Sequence, residues 1–339
     1  MTAAVLPTSL LQLLGKHSAS YAPHYPPSDN SDHGPMACLA MHGLGIDWNR
    51  IEEFANRYSK RLVASSPAQG SIRADDWENH IGRRESYLVL VEFFESEIIH
   101  DGWEAVVGRY LPRLISGWVK DAFHPLIRLG YGIEFNVVSE IAAGLAYLVI
   151  TGDDPQLASI ARRTPVKSAG YGYLQSLQSM RDPAFAHGSF NSRYRRIRDS
   201  AAVHPAGGDP NMMMREVSRE CLEVFHATHD FFALHLVTGS HAFLVCAPWA
   251  GPDSEPLYSA GIAVAYLAIG APDFNELPHA SSVLPIAELA RLNDEHDIKI
   301  AYTCQSLAKA YSDPTYIWAA VQYLTPRFGG STWALGFWH

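Results

Sequence analysis

"HDFFALHLVTGSHAFLVC", residues 229–246, is the stretch whose reading decides the fold. It is apolar on nearly every side of a helical wheel, so the helix it predicts must be buried all round. Asp230 stands at its start, where an acid is favoured. A helix of this kind needs other helices around it, and the rest of the chain supplies them. "DWNRIEEFANRYSKRL" (47–62) opens on an Asp cap and sets Ile51, Phe54, Tyr58 and Leu62 on one face. "RRESYLVLVEFFESEIIHDG" and "WEAVVGRYLPRLISGW" predict two helices broken at Gly102. "FHPLIRLGYGIEF" and "VVSEIAAGLAYLVITGDD" follow. A helix fits 35–45, and helical patterns resume at 213–226, 258–269, 283–311 and 314–324. Strand alternation with hairpin turns is missing, and no repeat of solenoid length recurs. The expected fold is all-α: one compact, bundle-like multi-helix domain over 31–339, after an irregular segment at 1–30. Residues 151–212, with "TGDDPQ", "SRYRRIR" and "AAVHPAGGDPN", read as an irregular insertion or linker within it.

Composition narrows the function classes. The net charge of −9 argues against a nucleic-acid partner. Hydrophobic residues make up 47% of the 339, ample for a large core, while charged residues are only 18%. Sixteen histidines against 26 Lys+Arg point to metal or proton chemistry. The four cysteines, Cys38, Cys221, Cys246 and Cys304, are far apart with no CxxC spacing, which suits a reducing compartment. "VLPTSLLQLL" lacks a preceding basic residue, which argues against a secretory signal. No uninterrupted apolar run reaches the ~18–20 residues of a membrane span. A cytoplasmic protein with neither membrane nor nucleic-acid partner is expected. No glycine fingerprint follows a strand and no P-loop occurs, so a Rossmann-type cofactor domain is not expected.

The histidines carry the chemical signal. In "DEHDIK" (294–299), Glu295 and Lys299 have the spacing of a surface ion pair worth ~0.3 kcal/mol. Yet Ile286, Leu289, Ile300, Thr303 and Leu307 form a stripe with His296 at its centre and Lys299 at its edge, about 60° away. His296 and Lys299 can therefore also point inward and share a metal. His235 and His241 lie about 120° apart on their helix, too far round for one ion to take both. His124 precedes Pro125 at a helix start. Gly130 and Gly132 beyond it permit close approach of a backbone or ligand. His33 stands just before the first helix of the domain, and His42 lies farther along that helix.

"SDHGPMACLAMHGLG", "FHPLIRLGYGIEF", "DFFALHLVTGSHAF" and "DEHDIKIAY", in that order from about residue 30 to 305, together resemble the questin oxidase-like family. The resemblance implies a helical fold and a mononuclear non-haem Fe(II) held by four histidines and a carboxylated lysine. Carried over, the ligands are His33, His124, His235, His296 and Lys299, with His296 and Lys299 as the catalytic pair. Asp32-His33 matches an Asn-His of the family, which favours His33 over His42. Arg128 stands where relatives often have a second histidine, a departure that bears on the substrate.

The implied activity is a flavin-independent, Baeyer–Villiger-like oxygenation. It would use O2 to cleave a ring of a hydroxyanthraquinone-type aromatic polyketide. NADPH is a candidate electron donor; the sequence shows no site for it beyond the basic "SRYRRIR". Neutral imidazole suits Fe(II). A buried lysine has a depressed pKa, and its free amine can capture CO2 as a carbamate, adding one anionic oxygen ligand.

Asp294, Glu295 and Asp297 read either as partners for imidazole N–H groups or as a solvated helix face. Trp118, Phe123, Tyr131, Phe135, Phe231, Phe232 and Tyr266 suit either a flat substrate or core packing. Two alternative functions are a zinc-dependent hydrolase and a non-catalytic helical small-molecule binding protein. Nothing in the sequence indicates an oligomeric state.

Overall fold

The computed structural model describes residues 6–328, apart from 27–29, 66–67, 69, 167–171, 186 and 201. Helix dominates, and the described residues contain one short antiparallel hairpin, β1 (His24–Tyr25) with β2 (Asn30–Ser31). The first half holds α1 (Thr8–Ser20), α2 (Gly34–Gly43), α3 (Trp48–Tyr58), α4 (Tyr87–Asp101), α5 (Trp103–Leu114), α6 (His124–Phe135), α7 (Val138–Thr151) and α8 (Pro155–Ala161). Then come α9 (Tyr173–Ser176), α10 (Phe190–Ser200), α11 (Pro210–Thr228), α12 (Phe231–Cys246), α13 (Ser254–Ala268), α14 (Ile286–Leu289), α15 (Glu295–Tyr311) and α16 (Thr315–Leu324). The all-α expectation holds.

At the centre, α12 is covered by α6, α11, α13 and α15. It buries residues on every side, from Leu234 and His235 through Phe243. With the turn that follows, Phe231–Trp249 is long and apolar enough to cross a membrane, although no uninterrupted apolar run was expected to be. Most of that stretch lies inside this protein's own core. Asp230 caps α12 by accepting from the amides of Phe232 and Ala233.

Close helix packing depends on small residues. A Cβ on Gly144 of α7 would stand 2.5 Å from Leu129 Cα of α6, and one on Gly130 of α6 would stand 3.1 Å from Ala242 Cα of α12. Backbones this near leave no volume for a side chain. Gly144→Ala should therefore cost roughly 1–3 kcal/mol by forcing α6 and α7 apart. Denaturant unfolding measures it, and a shift below about 0.5 kcal/mol would mean that the pair can slide.

Three expected boundaries change. The segment 1–30 is not all irregular: α1 buries Leu10, Leu14 and His17, a spacing of four and then three residues on one face. Much of 151–212 is helical. In α10 the basic run is amphipathic, burying Phe190, Tyr194 and Ile197 beneath its arginines. The expected helix 283–311 is two helices. Asp294 ends the break between them by capping α15, accepting from the amides of His296 and Asp297.

Candidate metal centre

Each of the five side chains arrives on its own structural ground. His33 is the residue before α2; its amide donates to the Tyr58 hydroxyl at 2.7 Å. The neighbouring Asp32 carboxylate accepts from Gly34 N at 3.0 Å and pairs with His17 Nε2 at 2.6 Å. Burial alone would raise the Asp32 pKa; the His17 and Arg128 charges and the Gly34 amide outweigh it and hold it below the usual range. His124 opens α6, His235 lies in the second turn of α12, and His296 and Lys299 occupy the first turns of α15.

The structure brings these residues together. His33 Nε2 and His124 Nε2 are 2.7 Å apart, and His124 Nε2 and His235 Nε2 are 3.0 Å apart. The ring centroids of His296 and His33 are separated by 4.5 Å, and those of His296 and His235 by 5.5 Å. Ligand atoms of His33, His124 and His235 all lie within 4.8 Å of one another, as do those of His33, Glu295 and His296. His33, His124, His235 and Lys299 are buried; His296, Phe231 and Phe232 are half-buried. The Phe231 ring packs 4.7 Å from His296 and 4.6 Å from His235.

Tautomers decide what these contacts mean. His124 Nδ1 lies 2.5 Å from the Asp121 carbonyl, and His235 Nδ1 lies 2.7 Å from the Phe231 carbonyl. A carbonyl only accepts, so both Nδ1 atoms carry their protons. Both Nε2 atoms then point bare lone pairs at each other, and neither can donate. His33 Nδ1, His296 Nε2 and Lys299 Nζ are also buried without a hydrogen-bond partner. Unpaired polar atoms at this density are costly unless something between them accepts their electrons. A cation does that. Nitrogens that share one ion at roughly 2.0–2.1 Å lie about 3 Å apart, the scale of the observed spacings.

Electrostatics agree. Burial first, then the Lys299 charge and the neighbouring imidazoles, holds His33 well below the ordinary histidine range. His124 and His235 are likewise held low, burial leading. Neutral imidazole is the ligating state. Burial also brings Lys299 down to about 8, against the opposing pull of Glu295, Asp294 and Asp32.

Glu295 and Lys299 form no surface pair: Glu295 is buried and accepts from Arg61 at 3.1 Å, while Lys299 is fully enclosed. The wheel put His296 at the centre of the stripe and Lys299 at its edge, yet Lys299 is the deeper of the two, because helices pack on that flank of α15 as well. Asp297 is buried beside Arg327, not solvated. His42 stands away from the cluster beside Phe135. His241 turns instead to Glu134, 3.4 Å away. Trp118 and Tyr266 are core residues.

"SRYRRIR" is part of α10 rather than a loop. Arg196 donates to the carbonyls of Ala184 and His187, and Arg198 donates to Asp154 and Asp199. Sequence reading did not find Tyr58, His17, Asp121, Ser31 or Tyr147 as supports of the cluster. None carries a spacing signal; they meet it only through the fold.

Just before His124, Asp121, Ala122 and Phe123 have φ of 50°, 51° and 69°. Left-handed backbone costs an L-residue roughly 1–2 kcal/mol. Three in succession, ending at one of the five residues, must be held by their surroundings.

A family model described as Questin oxidase-like matches residues 30–304. The chain is 24% identical over 260 residues to the questin oxidase of Aspergillus terreus, covering 65% of this chain and 58% of that protein. It is 42% identical over 122 residues to the Baeyer-Villiger oxidase notM of Aspergillus sp., 34% of this chain and 25% of that one. It is 35% identical over 78 residues to the Baeyer-Villiger oxidase ptaJ of Pestalotiopsis fici, 21% of this chain and 18% of that one. The matches span less than two thirds of each relative's length.

Proposed function

This chain belongs to the Questin oxidase-like family, and we propose that it is an oxidoreductase: an oxygenase that uses O2 on an aromatic polyketide at the histidine–lysine cluster. Relatives named as questin oxidase and Baeyer-Villiger oxidases support the reaction class. The substrate proposed is a hydroxyanthraquinone-type ring, opened beside a carbonyl without flavin. The single observation that carries the reading is the meeting of the His124 and His235 lone pairs, which an ion held between them would satisfy.

His33, His124, His235 and His296 would hold Fe(II), with Lys299 as its carbamate. When bound, the ion supplies redox chemistry toward dioxygen. The chain's own residues do the rest. Lys299 is buried with a lowered pKa, so a usable fraction of free amine is present to take CO2, and the resulting anion offsets part of the cation's charge. Phe231 and Phe232, half-buried beside His296 and His235, would offer a flat ring a face to stack on. Inserting one oxygen atom while the other leaves as water consumes two electrons and two protons. A reductant of the NADPH class, or a reduced form of the substrate, supplies them.

Protein purified without oxygen should contain about one iron per chain. Chelation should lower its melting temperature, because an ion bound only by the folded chain stabilises it by mass action. Zinc at that stoichiometry with no oxygen consumption would instead make the cluster hydrolytic. An empty cluster with unaltered small-molecule binding would leave a binding protein.

A further inference from the structure

We propose that Asn191, on α10, is a positioning residue for His124 and acts through the left-handed turn at Asp121–Phe123. The proposal rests on reading the cluster as a metal centre.

The two poles of the Asn191 amide grip one residue. Its Oδ1 accepts from Asp121 N at 3.1 Å, and its Nδ2 donates to Asp121 Oδ1 at 2.8 Å. The orientation is unambiguous, since the backbone amide needs an acceptor and the carboxylate needs a donor. The other carboxylate oxygen of Asp121 meets His24 Nε2 at 3.2 Å and accepts from Thr151 Oγ1 at 3.4 Å. At the far end of the turn, the Phe123 ring lies where a Cβ on Gly239 would be, 2.8 Å from that position, and packs on Trp118. Asn191 is itself held because its helix is anchored by Phe190, Tyr194 and Ile197, and Tyr194 donates to buried Asp154.

So clamped, the turn keeps the Asp121 carbonyl against His124 Nδ1. That contact matters because Nδ1 has a second neighbour. Ser31 Oγ is 3.1 Å away and 3.1 Å from the Tyr147 hydroxyl. A hydroxyl can donate as well as accept, so Ser31 tolerates either tautomer of His124, whereas the carbonyl permits one. With Asn191 gone, the strained turn is free to relax toward right-handed backbone, the carbonyl leaves, and a fraction of His124 carries its proton on Nε2. A proton there blocks the lone pair that faces the cluster. Strain held by distant contacts and aimed at one side chain is how functional sites are pre-organised, and outer partners of this kind set metal affinity.

The test uses the full chain, metal-free and then titrated with Co(II), with the His124 tautomer read by imidazole nitrogen NMR. Asn191→Ala should weaken Co(II) binding 10–100-fold and turn a single Nδ1–H form into a mixture. Arg195→Ala, an exposed position on the same helix, should change neither. An Asn191→Ala protein that melts earlier but keeps both the affinity and the single tautomer would show that Asn191 only staples α10, which overturns the proposal. If the wild-type chain binds no Co(II), the metal reading fails, and the tautomer alone decides: a mixture upholds the positioning role, an unchanged signal overturns it. If the alanine variant does not fold, Asn191→Asp, which keeps an acceptor but sets carboxylate against carboxylate, must show the same mixture.

Discussion

Lys299→Ala is expected to abolish turnover and to drop the iron content of the purified protein, with partial recovery when a small carboxylate such as acetate is added. Among the described residues the enclosed amine has no hydrogen-bond partner, so the structural role of Lys299 is limited to packing of its aliphatic stem. Undiminished turnover in this variant would sink the proposed chemistry. Lys299→Met separates function from stability. Moving the pKa from 10.5 to about 8 corresponds to a cost of about 3 kcal/mol for the folded metal-free chain at neutral pH.

The sign follows from proton counting. Between pH 8 and 10.5 the unfolded chain holds a proton on Lys299 that the folded chain has released, so stability rises with pH across that window. Below it both states are protonated and the full cost is present. Lys299→Met removes the cost and the slope together. The metal-free variant should therefore be more stable than wild type near pH 7, and the difference should vanish toward pH 10.5. Denaturant titrations of both proteins at three pH values measure it. A methionine variant less stable at pH 7 would show that the amine has a partner in the folded state.

Glu140→Ala should be the most damaging single substitution outside the cluster. Arg128 and Glu140 are both buried, paired at 2.8 Å and 3.2 Å through Nε and Nη2, while Nη1 donates to the Tyr87 hydroxyl at 3.0 Å. Removing the carboxylate strands a guanidinium in the core, at a cost of about 3–5 kcal/mol. Replacing both partners with leucine should recover part of that, because the stranded charge is gone and only the Tyr87 hydroxyl loses a partner. Chemical denaturation of the single and double variants completes the comparison, and a loss under 1 kcal/mol in the single would mean that water reaches Arg128. The position is of interest because Arg128 lies one turn beyond His124 on α6, where the resemblance led one to expect a second histidine. Here that position serves the core and the charge balance around Asp32.

Much of this was legible in the chain. The run 229–246 declared a helix buried on all sides, and α12 is the centre of the molecule. Ile51, Phe54 and Tyr58 were placed on one face and lie buried together. His33, His124, His235, His296 and Lys299 were named through four short motifs, and those residues meet. What was missed was local or long-range in a telling way. The face of α1 was missed because its leucines read as an apolar run weighed only as a secretory signal, and that of α10 because its arginines read as a basic loop. The break before α15 was missed because an apolar stripe continues across it, and only a capping carboxylate marks the start.

Periodicity is a property of consecutive residues, so the sequence by itself determined that the chain is helical, which helix must be central and which side chains could carry chemistry. It could not determine depth or direction. That Lys299 is fully enclosed while His296 is only half-buried depends on which helices pack against α15. That two imidazoles present lone pairs to each other depends on carbonyls of Asp121 and Phe231 fixing their protons. That Asn191 reaches Asp121 depends on α10 docking beside a turn some seventy positions earlier. Distances between groups remote in sequence, and the hydrogen bonds that set their protonation, exist only once the helices have packed.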